Sequence, residues 1–118
     1  MKDKKIGFIG LGNVGSKIAN NIIKNGYNLY VFDIDEKTSK NLVTKGAFFC
    51  KSIDQLIKNV TVFITCLPTP KSVNDVILNN LPNITNKHLW IEMSTTDEEE
   101  MRYLSDLVLE KNAQVIEA

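Results

Sequence analysis

The chain has few of the residues from which disulfide frameworks and histidine metal sites are made: two cysteines and one histidine among 118 residues. Cys50 and Cys66 each follow an apolar run, which favours reduced thiols in a strand-rich core over a disulfide bridge or a metal site. His88 stands just ahead of Leu89-Trp90-Ile91, with no second histidine at ligand spacing. We therefore expect His88 to be a strand-edge residue and not a catalytic base.

An excess of one charge and a long apolar run are also missing. Lysines and arginines (14) balance aspartates and glutamates (14), and no basic block stands out, so nothing favours binding to nucleic acid or to an anionic membrane. No apolar stretch approaches the roughly 20 residues that span a bilayer, and residues 1–5 are too short for a signal peptide. We expect one soluble domain with a hydrophobic core, cytoplasmic as the chain stands or mitochondrial if a transit segment was removed.

What the sequence does have is a glycine-rich turn after its first apolar run. Ile6–Ile9 predicts a strand, and Gly10, Gly12 and Gly15 follow in the pattern G-x-G-x-x-G. In a dinucleotide-binding turn the first glycine permits the tight turn, the second lets the backbone approach the pyrophosphate, and the third lets the next helix pack on the strand. A helix from about Asn13 would point its free N–H groups and positive dipole end at the phosphates. The sequence therefore predicts an anion site made of backbone.

The next segment supplies the context that this motif needs. Apolar residues recur at helical spacing before Gly26, and Leu29–Asp33 then predicts a second strand that ends on an acid. Asp33 is placed to accept hydrogen bonds from the adenosine ribose hydroxyls, and no arginine follows that could bind a 2′-phosphate. We therefore expect NAD as the cofactor, with NADP less favoured. Asp35 is expected to serve a turn or a helix cap.

The remaining sequence alternates short apolar runs with amphipathic stretches of about ten residues, the pattern of parallel strands joined by crossover helices. We predict an α/β fold, a doubly wound Rossmann-type parallel sheet of about six strands with helices on both faces. The later strands are predicted at residues 47–50, 60–65, 89–93 and 113–116. Further helices are predicted over residues 37–45, from Ser52, through Val76 and Ile77, and from the acidic run 97–100, which we assign to a helix start and not to a metal site.

Two further loops are predicted to reach the carboxyl ends of the strands, where ligands of open α/β sheets collect. Leu67-Pro68-Thr69 follows the fourth predicted strand, and the prolines at 68 and 70 require a turn or loop there. Ser94-Thr95 follows the fifth predicted strand, and Thr96 and Glu99 have capping-box spacing for the next helix. Together with the glycine turn and the end of the second strand, these loops would line one cleft.

Several motifs in this order resemble the β-hydroxyacid dehydrogenases, in particular the 3-hydroxyisobutyrate dehydrogenases, over essentially the whole chain. Residues 7–15 look like the family's amino-terminal fingerprint, Leu67-Pro68-Thr69 like its cofactor loop and Glu92-Met93-Ser94-Thr95 like its acid-x-Ser-Thr segment. The resemblance implies that Thr95 contacts the cofactor near its nicotinamide end and that Ser72 is a further contact. Motifs and resemblance together assign these cofactor-binding residues: Gly10, Leu11, Gly12, Asn13, Val14, Gly15, Asp33, Leu67, Pro68, Thr69, Ser72 and Thr95.

The sequence departs from the family pattern in two places and ends early. Glu92 stands where the family usually has Asp, and Glu98 where many members have Pro. The last residues, Val115-Ile116-Glu117-Ala118, resemble the run-up to the family's substrate-binding Ser-Gly-Gly segment. The resemblance implies that residues 1–118 are an NAD(P)-binding Rossmann domain, and that the helical substrate domain with the family's acid/base lysine lies further on.

No catalytic residue is therefore predicted in this chain. Lys71 is near the expected cleft in sequence, but lysines are mostly solvated and we expect no contact with substrate. The resemblance implies that the full-length protein acts on a small-molecule β-hydroxyacid such as 3-hydroxyisobutyrate and forms a homo-oligomer. The isolated chain is expected to bind NADH without turning over a hydroxyacid.

Two alternatives stay open. The segment Met93-Ser94-Thr95 also resembles the NADPH-dependent glyoxylate and succinic semialdehyde reductases, which the preferred cofactor would distinguish. The chain could instead be a non-catalytic nucleotide-binding or scaffold module, because a Rossmann fold alone does not dictate chemistry. The sequence that follows Ala118 in the native transcript would distinguish this second alternative.

Overall fold

Six parallel strands form one sheet at the centre of the computed structural model, which describes residues 3–94 and 97–118. In chain order the strands are β1 Lys5–Ile9, β2 Asn28–Phe32, β3 Phe48–Phe49, β4 Val62–Thr65, β5 Leu89–Glu92 and β6 Gln114–Glu117. Across the sheet their order is β3-β2-β1-β4-β5-β6, with every neighbouring pair parallel. The strand order thus reverses between β1 and β4, which confirms the predicted doubly wound fold.

Helices cover both faces of this sheet. The α-helices of the described residues are α1 Asn13–Lys24, α2 Lys40–Thr44, α3 Ile53–Asn59, α4 Pro70–Asn80 and α5 Glu98–Leu109. Successive side chains of a strand point to opposite faces, so Phe63 joins the core under α3, α4 and α5, whereas the adjacent Ile64 joins the core under α1 and α2. Both strand faces are apolar, as expected of a parallel sheet between two helical layers. No helix of the described residues is long and apolar enough to cross a membrane.

Side-chain caps fix where the later helices begin. The Ser52 and Thr69 hydroxyls accept hydrogen bonds from the amides of Gln55 and Ser72, which starts α3 and α4. Pro70, predicted in a loop, is the first residue of α4, where its missing N–H removes no helical hydrogen bond. The predicted cap Thr96 lies outside the described residues, and the cap of α5 is Asp97, which accepts from two amides of the first turn.

The helix predicted over residues 37–45 is broken into two pieces. A 3₁₀ turn spans Glu36–Ser39, and α2 follows it directly. The Asp35 side chain accepts from the amide of Lys37, which closes this tight turn and gives Asp35 the predicted capping role. Gly46, with φ +107°, ends α2 in the left-handed conformation that glycine permits.

His88 directly precedes β5, but it is buried and not exposed at a strand edge. Its Nδ1 accepts a hydrogen bond from the amide of Thr85 (2.9 Å), so the ring proton lies on Nε2, which donates to the carbonyl oxygen of Ile57 (2.8 Å). The ring also packs edge-on against Phe63. Nε2 thus joins α3 to the start of β5 inside the core, while Nδ1 closes the turn that begins at Thr85.

Candidate functional site

A cleft of about 660 Å³ opens at the carboxyl ends of β1, β2 and β4, next to the point where the strand order reverses. It brings together most of the predicted cofactor-binding residues: Gly10, Gly12, Asn13, Val14, Gly15, Asp33, Leu67, Pro68 and Ser72 line it. Leu11, which is buried, and Thr69, which is exposed, are not among the lining residues, and Thr95 lies outside the described residues. The sequence reasoning missed Ile34, Ile53, Cys66, Asp75 and Val76, which line the same cleft.

Two glycines of the turn are required by the fold itself. Gly10 has φ +97°, and a Cβ on it would overlap the carbonyl oxygen of Cys66. Its amide donates to the carbonyl oxygen of Phe32 (3.0 Å), which fixes the turn to the end of β2. A Cβ on Gly15 would overlap the carbonyl oxygen of Gly10, because α1 packs directly against the turn. These contacts match the predicted roles of the first and third glycines.

Gly12, the middle glycine of the turn, differs from Gly10 and Gly15 in the space around it. Gly12 has φ −68°, which any residue adopts, and a Cβ placed on it would have no heavy atom within 4 Å. Nothing among the described residues therefore requires glycine at this position. Gly12 lines the cleft, where a ligand would come close to the backbone.

The start of α1 also lacks the side-chain cap that begins each of the helices α3, α4 and α5. Gly12 caps α1 without a side chain, and the first turn carries no acidic residue, whereas Ser52, Thr69 and Asp97 cap α3, α4 and α5. The amides of the first turn of α1 therefore face the cleft with the positive end of the helix dipole and no side-chain acceptor. The anion site predicted from the sequence would lie at this helix start.

Asp33 connects this turn to the end of β2. Its Oδ2 accepts a hydrogen bond from the amide of Leu11 (2.6 Å), and its Oδ1 accepts one from the amide of Asp35 (3.0 Å). Each carboxylate oxygen has a further lone pair, so the side chain can still accept hydrogen bonds from a ligand in the cleft. Leu11 itself is buried, and it takes part through this backbone contact. The neighbouring Ile34 is 95% exposed at the rim.

The loop after β4 enters the cleft through Leu67 and Pro68 and then starts α4. The Thr69 hydroxyl caps α4 and lies 2.6 Å from the Ser72 hydroxyl, so these two predicted contacts are joined to each other. Lys71 is not among the lining residues, and it forms an exposed ion pair (2.9 Å) with Asp75, which does line the cleft. Helical spacing accounts for the two cleft-lining residues of α4 that the sequence did not indicate. Asp75 and Val76 follow Ser72 by three and four positions, so they share its side of the helix.

A buried carboxyl group stands at the end of β5. Glu92 is completely buried, and its Oε1 accepts a hydrogen bond from the amide of Ser94. The Ser94 hydroxyl in turn accepts from the amide of Leu67 (2.6 Å), which joins the loop after β5 to the loop after β4. Burial raises the pKa of Glu92, and the hydrogen bonds from Ser94 oppose that rise. The sequence signal for this group was an acid at the end of an otherwise apolar strand.

Both cysteines are free thiols, as predicted. Cys50 is buried, and Cys66 lies half-buried at the end of β4 where it lines the cleft. Burial raises the pKa of both thiols, and the charge of the nearby Glu92 raises the pKa of Cys66 further. Within residues 3–94 and 97–118, no group of three or more His, Cys, Asp or Glu side chains is arranged to hold a metal ion.

Comparison with known proteins agrees with this geometry. The chain is 35% identical over 116 residues to the mitochondrial 3-hydroxyisobutyrate dehydrogenase of Drosophila melanogaster, a match that covers 98% of this chain and 36% of that protein. It is 28% identical over 119 residues to the cytokine-like nuclear factor N-PAC of Pongo abelii, which covers 98% of this chain and 22% of that protein. The chain thus spans about a third or less of the length of these relatives.

A solved structure and a protein family match as well. The 3-hydroxyisobutyrate dehydrogenase of Mycobacterium tuberculosis, solved with L-serine, has a TM-score of 0.91 at 24% identity over 98% of this chain and 40% of its own, a similarity that shows the shared fold. Residues 5–118 match the family described as the NAD binding domain of 6-phosphogluconate dehydrogenase. The chain therefore belongs to this family of NAD-binding domains of dehydrogenases, and the likeness to 3-hydroxyisobutyrate dehydrogenases predicted from its motifs is confirmed.

Proposed function

We propose that this domain binds NAD in preference to NADP and serves an oxidoreductase that transfers hydride between NAD and a small β-hydroxyacid such as 3-hydroxyisobutyrate. The observation that carries the proposal is Gly12, which lines the cleft and on which a Cβ would have no heavy atom within 4 Å. A glycine that the fold does not need is explained by a ligand that approaches the backbone there. The uncapped first turn of α1 beside it supplies the amides for a pyrophosphate.

Asp33 supports the choice of NAD. Its carboxylate faces the cleft at the end of β2, where it can accept hydrogen bonds from both adenosine ribose hydroxyls. A 2′-phosphate at the same place would meet a negative charge, and the exposed Ile34 that follows offers no cation. Thr95 remains a proposed contact near the nicotinamide, on the resemblance of residues 92–95 to the family segment.

The chemistry itself is assigned to sequence beyond this domain. The nicotinamide cofactor accepts or donates the hydride, while this chain holds the cofactor through its glycine turn, Asp33 and the loops after β4 and β5. The proton of the substrate hydroxyl would be removed by a lysine in the helical substrate domain of the full-length protein, which we propose to be a homo-oligomer. We therefore expect the isolated chain to bind NADH and to oxidise no hydroxyacid.

The test compares two alanine substitutions at glycines with open surroundings. Gly12→Ala should leave the unfolding midpoint unchanged and weaken NADH binding by about 1–3 kcal/mol, the usual cost of an overpacked contact, or roughly 5- to 150-fold. Gly46→Ala also meets no heavy atom within 4 Å, but φ +107° strains it. It should lower stability by about 1–2 kcal/mol and leave the NADH dissociation constant unchanged. Wild-type NADH affinity retained in Gly12→Ala would overturn the proposed site.

The relatives named as cytokine-like nuclear factors favour a second candidate, a nucleotide-binding module without catalysis. The native transcript distinguishes the two when it is sequenced past the codon for Ala118. A continuation that resembles Pro-Val-Ser-Gly-Gly, followed by a helical domain with a lysine, supports the dehydrogenase. An immediate stop codon supports the module.

A further inference from the structure

Glu92 is a buried acid for which the fold alone gives no reason. It lies at the carboxyl end of β5 and is completely buried. Among the described residues its Oε2 is a buried polar atom without a hydrogen-bond partner. An acceptor buried in this way costs about 1–3 kcal/mol of stability. The contact made by the other carboxylate oxygen of Glu92, Oε1, offers a reason for the presence of this buried acid.

That other oxygen is joined to the cleft through one intermediate residue. The amide of Ser94 donates to Glu92 Oε1, and the Ser94 hydroxyl accepts from the amide of Leu67, which lines the cleft. This chain of contacts, the Glu92 network, fixes the loop after β5 to the loop after β4. Both loops lie on the β4 side of the strand-order reversal, opposite Asp33. A dinucleotide that spans the reversal with its adenosine ribose at Asp33 therefore places its nicotinamide half at the Glu92 network.

We propose that Glu92 is a positioning residue that holds the loops after β4 and β5 in the arrangement that receives the nicotinamide half of the cofactor. Ionised Glu92 cannot be solvated in its present position, so its charge would draw in water or displace the Ser94 loop. Ionisation therefore weakens NADH binding. The inference rests on the proposed function, because it assumes that the cleft holds a nicotinamide dinucleotide.

The groups around Glu92 favour its neutral form. Burial raises its pKa most, the carboxylate of Glu117 on β6 raises it further, and the neighbouring polar groups of Ser94 and Thr65 lower it. The other titratable neighbour is Cys66 at the end of β4, whose thiol pKa is itself raised by burial and by Glu92, so it carries no charge at neutral pH. Because the pKa of Glu92 is raised, the competent neutral form is present at low pH and is lost as pH rises through that pKa.

The test is a calorimetric titration with NADH and with ADP across a series of pH values. ADP reaches Asp33 and the glycine turn but lacks the nicotinamide half, so it serves as the internal control. The wild type should lose NADH affinity about fivefold as pH rises through the pKa of Glu92, the value of one ordinary hydrogen bond. Glu92→Gln mimics the neutral form and should bind NADH with a flat profile. ADP affinity should follow the same profile in both proteins.

The possible results distinguish a failure of the role proposed for Glu92 from a failure of the proposed function. Identical NADH profiles in the wild type and Glu92→Gln would overturn the role of Glu92 while leaving the cofactor site intact. Failure of the wild type to bind both NADH and ADP at every pH would overturn the proposed function itself. If Glu92→Gln does not fold, Ser94→Ala removes the acceptor of the Leu67 amide and leaves the carboxyl in place. It should weaken NADH and spare ADP, and equal loss of both ligands would contradict the proposal.

Discussion

The two ends of the cleft are built on different principles. The glycine-loop end, formed by residues 10–15 and Asp33, consists of backbone groups and one carboxylate that still faces the cleft. The Glu92 end, formed by Glu92, Ser94 and Leu67, consists of side chains that hydrogen-bond to backbone amides beneath the surface. At the first end a sequence motif carries the geometry within a few residues, whereas at the second end two loops 27 residues apart depend on one buried acid.

Because of this difference, we expect the two ends of the cleft to affect ligand binding in different ways. At the glycine-loop end, the donors that we propose for an anion belong to the main chain, so they are in place once β1 and α1 are formed. The Glu92 end requires β4 and β5 to be paired, since the Ser94 hydroxyl must reach the amide of Leu67. We expect substitutions at the first end to change binding of every adenine nucleotide and those at the second end to change binding of the complete dinucleotide.

The largest effect is expected from Gly10→Ala. The left-handed φ of +97° and the overlap of a Cβ with the carbonyl oxygen of Cys66 act together at this position. The free energy of unfolding should fall by about 2–5 kcal/mol, the sum of a left-handed penalty and an overpacked contact. Urea denaturation measures this loss, and NADH and ADP binding should be lost together. A variant of wild-type stability would show that the turn is not fixed as described.

Asp33→Asn should have the next largest effect, mainly on binding. The asparagine oxygen can still accept from the Leu11 amide, but the acceptor for the Asp35 amide and the charged acceptor for the ribose are lost. NADH affinity should fall by about 1.5–3 kcal/mol, or roughly 10- to 150-fold, and the preference over NADPH should narrow. Asp35→Asn is the matched control, because Asp35 caps the neighbouring turn and lies outside the cleft lining. Equal losses in the two variants would argue against a ribose contact at Asp33.

A smaller effect, confined to the Glu92 end, is expected in the pH dependence of stability. The raised pKa of Glu92 means that the folded state keeps a proton that the unfolded chain has already released. The free energy of unfolding should therefore fall as pH rises from about 4.3, the ordinary glutamate value, through the pKa of Glu92, and then level off. Denaturation at a series of pH values measures this slope, which Glu92→Gln should remove. The same slope in both proteins would assign it to other groups.

The smallest effect is expected from Lys71→Ala. Lys71 is exposed and is not among the cleft-lining residues, although its partner Asp75 is, so its removal deletes a solvated ion pair at the edge of the cleft. Both the unfolding midpoint and the NADH dissociation constant should stay at wild-type values. A clear loss of NADH affinity would instead place the lysine at the cofactor and revise the boundary of the cleft.

The same contrast explains which features could be predicted from the sequence. The parallel sheet, the glycine turn and the position of Asp33 follow from local periodicity and spacing, and the structure contains all three. The break at Ser39 within the predicted helix 37–45 depends on the Asp35 cap, a local competitor that helical periodicity does not register. The link from Ser94 to Leu67 joins distant loops, so it appears only once β4 and β5 are aligned.

Helix starts were predicted less well for a related reason. Thr96 and Asp97 are adjacent residues that both favour a cap, and spacing alone selected the first, whereas the Asp97 carboxylate accepts from the amides of Glu99 and Glu100. An ionised cap at the positive end of a helix is favoured over a hydroxyl by the helix dipole. Burial also escaped prediction at His88, because the carbonyl oxygen of Ile57 that accepts from its Nε2 is 31 residues away in the sequence.

The most direct test of the account is a crystal structure of the protein with NADH bound. We predict pyrophosphate oxygens at the amides that begin α1, close to the Cα of Gly12, and the adenosine ribose hydroxyls on the Asp33 carboxylate. The nicotinamide half should lie over the loops joined by Ser94. Density for the dinucleotide in the reverse direction, or outside the cleft at saturating NADH, would contradict the account.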